Sequence, residues 1–181
     1  MLTRIITILF FSILFGVSFS QECGESSSGP AEFDTDGDGV LDNFGNFSNS
    51  GSITARIFND SEVEVGVEGD YLLAYIDGSL SGVGLADGPL PAFFGGGYAF
   101  PILLYSNSAA ESGLTFKYYN ASSGMVVDVS SDFDPDDNPD NNNNNTFVAD
   151  MFIGNSTLGE SIEFTTACWP LDAGDVGSDC L

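Results

Sequence analysis

The stretch Tyr71-Leu72-Leu73-Ala74-Tyr75-Ile76-Asp77-Gly78-Ser79-Leu80-Ser81-Gly82-Val83-Gly84-Leu85 decides the fold class. Its first six residues are apolar at every position, so neither face of an extended strand is left for water, and this predicts a central strand. Asp77-Gly78 supplies the left-handed backbone that a tight hairpin needs. Leu80 to Leu85 then runs back beside it.

Outward from this hairpin, period-two alternation is the dominant pattern after residue 50. Ile53, Ala55 and Ile57 share one side of Ser52 to Phe58, and Val63, Val65 and Val67 share one side of Glu62 to Val67. Both read as half-buried strands of an antiparallel sheet. Tyr98 to Tyr105 is a further strand whose Pro101 lacks a ladder donor, which predicts an edge or a bulge. Leu114 to Tyr118, the turn Asn120 to Gly124, and Met125 to Val129 make a second hairpin; Thr146 to Ile153 and Ser161 to Thr166 complete the set. No window of helical length carries three-four spacing with caps. About eight or nine short strands predict an all-β, antiparallel, jelly-roll-like sandwich in a single domain.

The chain divides by composition. Residues 1–20 read as a signal peptide: Arg4, an apolar run from Ile5 to Phe15, then small residues at Ser18 and Ser20. The run is shorter than the ~20 residues that span a bilayer, so cleavage after Ser20 is expected, with no stable membrane insertion afterwards. Residues 21–50 read as a flexible Gly/Ser/Glu-rich leader carrying an Asp-rich loop, residues 51–167 as the sandwich, and 168–181 as a Cys-bounded tail. Within the sandwich, residues 132–145 form an acidic, Asn-rich loop.

The 181 residues hold 3 Lys+Arg against 27 Asp+Glu and no His, a formal net charge of −24. Cleavage would leave Arg56 and Lys117 as the only cations. Such a balance excludes a nucleic-acid footprint, His-dependent catalysis and His-ligated zinc, and it suits a secreted or cell-surface location rich in divalent cations. The chain lacks a Gly-x-Ser-x-Gly elbow and a phosphate-cradling Gly-Lys loop, so a non-catalytic role is expected. Cys168 and Cys180 enclose a Gly/Asp-rich loop; a disulfide there would add about 3 kcal/mol in the chain-entropy model. Cys23 leaves the pairing open, since three cysteines allow three single bridges. Asn46, Asn59, Asn120, Asn144 and Asn155 head glycosylation sequons.

Three stretches are candidate sites. In Asp34-Thr35-Asp36-Gly37-Asp38-Gly39-Val40-Leu41-Asp42-Asn43, alternate carboxylates at 34, 36 and 38 can converge on a hard cation. The Val40 carbonyl and Asp42 add further oxygens, which predicts a Ca2+ site. Gly45 stands at the twelfth position where an EF-hand has its bidentate Glu, so the pattern is not an EF-hand. Asp132, Asp134 and Asp136 form a second, weaker metal candidate that lacks a turn glycine. Phe93, Phe94 and Tyr98, with Trp169, form an aromatic candidate for ligand binding, in which rings stack on sugar faces.

The Asp34 to Asn43 stretch resembles one thrombospondin type 3 calcium repeat, an element of secreted proteins. The segments Gly69 to Gly84, Tyr98 to Asn107 and Leu114 to Ala121 together look like a β-rich accessory module of secreted and surface proteins of Bacteroidota. The resemblance spans about residues 60 to 165 and implies a non-catalytic accessory role. The expectation is a secreted, calcium-binding sandwich for extracellular binding or adhesion, with an extracellular protein or glycan as partner. Two alternatives stand beside it: a carbohydrate-binding module, and a structural subunit of an extracellular matrix that self-associates.

Overall fold

In a computed structural model of the chain, residues 24–130, 145–154 and 161–166 are described. The signal peptide, all three cysteines, Trp169, and Asp132, Asp134 and Asp136 lie outside these residues.

The fold is all-β and sandwich-like. Eleven strands occur among the described residues: β1 Glu25–Ser26, β2 Asn49–Asn59, β3 Tyr71–Ile76, β4 Ser79–Leu85, β5 Phe100–Ser106, β6 Ala110–Glu111, β7 Leu114–Asn120, β8 Met125–Val129, β9 Phe147–Val148, β10 Phe152–Ile153 and β11 Ile162–Thr166. Nine of them form one sheet in the order β1-β8-β7-β3-β4-β5-β2-β10, with β11 also on β2; β6 and β9 make a separate ribbon. Ser130, just after β8, exchanges both backbone hydrogen bonds with Thr165 of β11, at 2.8 and 3.0 Å. This bridge brings the two ends of the sheet together, so the sheet wraps around the main core.

Strand β3 is central, paired with β4 and β7. Its apolarity on both faces has two separate causes. Leu72, Ala74 and Ile76 point into the main core with Ile53, Ile57, Phe100, Ile102, Leu104, Tyr118 and Phe164. Tyr71 and Leu73 point outward into a second cluster with Val83, Tyr105 and Tyr119, closed over by Phe33 and Leu41. The span read as a flexible leader is thus, in its described part, a packed layer on the outer face of β7, β3, β4 and β5. Burying Phe33 and Leu41, 8% and 4% exposed, supplies about 2 kcal/mol each toward holding it there. The β3–β4 hairpin turns at Asp77 and Gly78, whose φ of 48° and 75° are the left-handed pair a two-residue turn requires.

Four expectations about strands change. Glu62 to Val67 is not a strand but a turn touching β2 through the single bridge Phe58–Glu64. The Asn59 carboxamide accepts the Ser61 and Val63 amides, Glu62 takes φ 60°, and Val63 and Val67 end exposed while Val65 is buried. Local side-chain capping overrides the alternation there. Strand β5 is interior, between β2 and β4; its β4 ladder covers only Leu103 and Leu104 and contact resumes at the Asp87–Ala99 bridge, so Pro101 sits in the break. Thr146 to Ile153 is split by Asp150, φ 63°, into β9 on β6 and β10 on β2. Finally, the sheet is not wholly antiparallel: β10 and β11 both run parallel to β2.

Candidate metal centre

The 3-10 turn Pro30–Glu32 delivers Phe33 into the outer cluster, and the next residue, Asp34, opens the loop. Asp34 is 2% exposed, and each of its carboxylate oxygens accepts one loop amide at 2.8 Å, Oδ1 from Gly37 and Oδ2 from Gly39. Gly37 and Gly39 take φ of 75° and 77°, which turns their amides inward at little steric cost. At the far end Asp42 accepts the Thr35 amide and hydroxyl, which closes the loop into a ring. Leu41, just before it, is buried and pins that end to the sheet.

This ring brings carboxylate oxygens of Asp34, Asp36 and Asp42 within 4.8 Å of one another. Two oxygens on opposite sides of a cation with contacts of about 2.4 Å lie about 4.8 Å apart, so the spacing suits a hard ion. Besides the two loop amides, the Asp34 carboxylate has a hydrogen bond with the Tyr71 hydroxyl, and Asp36 and Asp42 are exposed to solvent. Of the other residues in the motif, Asp38 is outside the triad, its Oδ1 accepting the Val40 amide at 2.8 Å. Val40 is half-buried beside it.

Negative charge crowds this loop. The Asp36 carboxyl is raised above its ordinary range, chiefly by the neighbouring Asp38 charge. Burial raises the Tyr71 phenol, and the charge of Asp34 and a hydrogen bond with it add to the shift. Burial likewise raises Tyr105, with the Asp38 charge second. The two cations of the described residues are engaged elsewhere, Arg56 with Glu64 at 3.6 Å and Lys117 with Glu25 and Asp128 at 3.9 and 3.8 Å. Tyr71 and Tyr105 were not legible as parts of this site, because they are far along the chain and carry no spacing signal.

The aromatic candidate lies apart. Phe93 and Phe94 form a 3-10 turn with Ala92, their ring centroids 4.2 Å apart; Phe93 is 79% exposed, whereas Phe94 and Tyr98 are half-buried. Arg56 donates to the Gly96 carbonyl, and Glu64 accepts the Tyr98 amide at 3.0 Å, so the Arg56–Glu64 pair holds the loop to β2.

One buried polar network is structural. Asp70, fully buried, accepts the Val67 and Ala121 amides and the Tyr118 hydroxyl. Asn120 donates to that same hydroxyl, so the amide of this sequon is engaged inside the fold. Among the described residues no helix is long and apolar enough to cross a membrane. No family model matches this chain, and no curated protein or solved structure matches it either.

Proposed function

We propose that the chain is a secreted, calcium-stabilised, non-catalytic β-sandwich that works by binding outside the cell or at its surface. The observation that carries this reading is the convergence of Asp34, Asp36 and Asp42 in a loop whose flanks, Phe33 and Leu41, are buried on the sheet. An ion bound there would offset the crowded carboxylates and fasten the N-terminal layer to the outer face of β3. Calcium is favoured over magnesium because the donors are carboxylates on a glycine-jointed loop rather than a rigid octahedral set. Export rests on the apolar run of residues 5–15 and the acidic charge.

The test is a thermal melt of the chain in EDTA and in millimolar calcium at fixed ionic strength. A ligand bound only by the native state at 100 times its dissociation constant adds about 2.7 kcal/mol, and the midpoint should rise accordingly. The rise should vanish in Asp36→Asn/Asp42→Asn; no rise in the unmodified chain overturns the reading. A second reading, a glycan-binding module, is favoured by the exposure of Phe93 on its anchored loop. Binding of a polysaccharide that Phe93→Ala abolishes would select it.

A further inference from the structure

The N-terminal layer covers only part of the outer face. Beside it, across β5, β2 and β10, lies a groove of about 580 Å³ whose wall is the far side of the Asp34–Asp42 loop. Its lining includes Asp38 and Val40 from that loop, Asp87 from the connection after β4, Thr54 from β2, Leu103 from β5 and Phe152 from β10. Leu103 is 42% and Phe152 70% exposed, an unusual display for a leucine and a phenylalanine that flank Ser52 of β2 on its two neighbouring strands. Three strands span about 10 Å, enough for a few residues of an extended chain.

The charge of the groove is one-sided. Both ionisable lining residues are carboxylates, and Asp38 is the loop acid that stays out of the metal triad. Arg56 and Lys117 are paired elsewhere, and the chain as a whole is at −24. A second copy of this chain would meet the same negative field and be repelled. An amine or guanidinium is attracted by both carboxylates and by the exposed ring face, while an apolar side chain gains by covering Leu103 and Phe152.

We propose that this groove docks a basic, partly apolar peptide segment of another protein, with a lysine or arginine between Asp38 and Asp87 and an apolar side chain on Leu103 and Phe152. The proposal deepens the binding role stated above and is independent of calcium. It is tested by fluorescence anisotropy with the full chain and a dye-labelled octapeptide of alternating lysine and leucine. A control peptide has serine for leucine at equal charge, and titrations run at about 150 mM salt, in EDTA and in calcium.

The leucine peptide should bind at least about tenfold more tightly than the serine peptide. Phe152→Ser/Leu103→Ser should remove that advantage while leaving the serine peptide unchanged, and Asp38→Asn/Asp87→Asn should weaken both. Because Phe152 is so exposed, the single Phe152→Ser chain keeps its melt and serves if the double variant does not fold. Equal affinity for the two peptides means diffuse charge attraction and overturns the proposal. So does leucine-peptide affinity in Phe152→Ser/Leu103→Ser within about twofold of the parent, or binding of a neutral oligosaccharide in place of the peptide. Leucine-peptide binding in EDTA without a calcium-dependent melt would sink the calcium reading alone; a calcium-dependent melt without peptide binding would sink the groove alone.

Discussion

Phe33 stands edge-on to Tyr71, ring centroids 5.2 Å apart and planes at 66°, and through this contact the residue next to Phe33, Asp34, is carried onto the outer face of the sheet. Phe33 makes the same kind of contact with Tyr119, also at 5.2 Å. A single ring wedged between two tyrosines therefore joins the packing of the domain to the geometry of the acidic loop.

Phe33→Ala should lower stability by about 3 kcal/mol, the usual loss for a large aromatic, and should weaken calcium binding although no ligand is touched. Urea unfolding gives the first quantity and calcium titration the second. Unchanged calcium affinity in a folded Phe33→Ala chain would show that the loop holds its shape alone.

Gly39 has φ 77°, and a Cβ there would come 2.8 Å from the Cβ of Leu85. Gly39→Ala should thus cost about 1–3 kcal/mol, from backbone strain and from pushing the loop off β4. Gly37 has a similar φ of 75° but open space around it, so Gly37→Ala should cost only the backbone share. Comparing the two melts separates strain from contact.

Tyr118→Phe removes the hydroxyl that donates to Asp70 inside the core and should cost about 1.5–3 kcal/mol, as for hydrogen bonds to charged groups. The Asp70 carboxyl is raised above its ordinary range, chiefly by burial, against the lowering effect of its three hydrogen bonds. Its folded pKa exceeds the unfolded value near 3.9, so the native state holds this proton more tightly. The stability it contributes is present below that unfolded value and lost as pH rises through the folded one. The stability difference between the parent and Asp70→Asn should accordingly shift in favour of the parent on going from neutral pH to about pH 4. A flat difference across that range would contradict the assignment.

Arg56→Ala should free the loop from Ala92 to Tyr98, because it removes both the donor to Gly96 and the partner of Glu64. A stability loss of about 2 kcal/mol is expected for a largely buried pair broken on one side. Faster amide exchange at Tyr98 and faster chymotryptic cleavage at Phe93 and Phe94 are the local readouts. Loss of stability without local exposure would mean that Arg56 acts only through the sheet.

How much was legible varies from element to element. The β3–β4 hairpin and the β7–β8 hairpin could be read from residue order, since a turn and its flanking strands are neighbours in the chain and their signals are local. Glu62 to Val67 has an equally clean alternation and is not a strand, because the capping carboxamide of Asn59 and the buried carboxylate of Asp70 bend the backbone first. The acidic motif from Asp34 to Asp42 was visible as spacing, yet the choice of Asp34, Asp36 and Asp42, with Asp38 turned to a groove, required the loop's own hydrogen bonds.

By itself the sequence determined the all-β class, the two hairpins, the acidic loop and the charge that any partner must meet, since composition, alternation and turn chemistry act over a few residues. Tertiary structure alone decided that the described part of the leader is a packed layer, that β10 and β11 run parallel to β2, and that Phe152 and Leu103 line one groove with Asp38. Those relationships join residues tens of positions apart. They are set by which apolar surfaces bury one another, a competition among distant segments that no local pattern encodes.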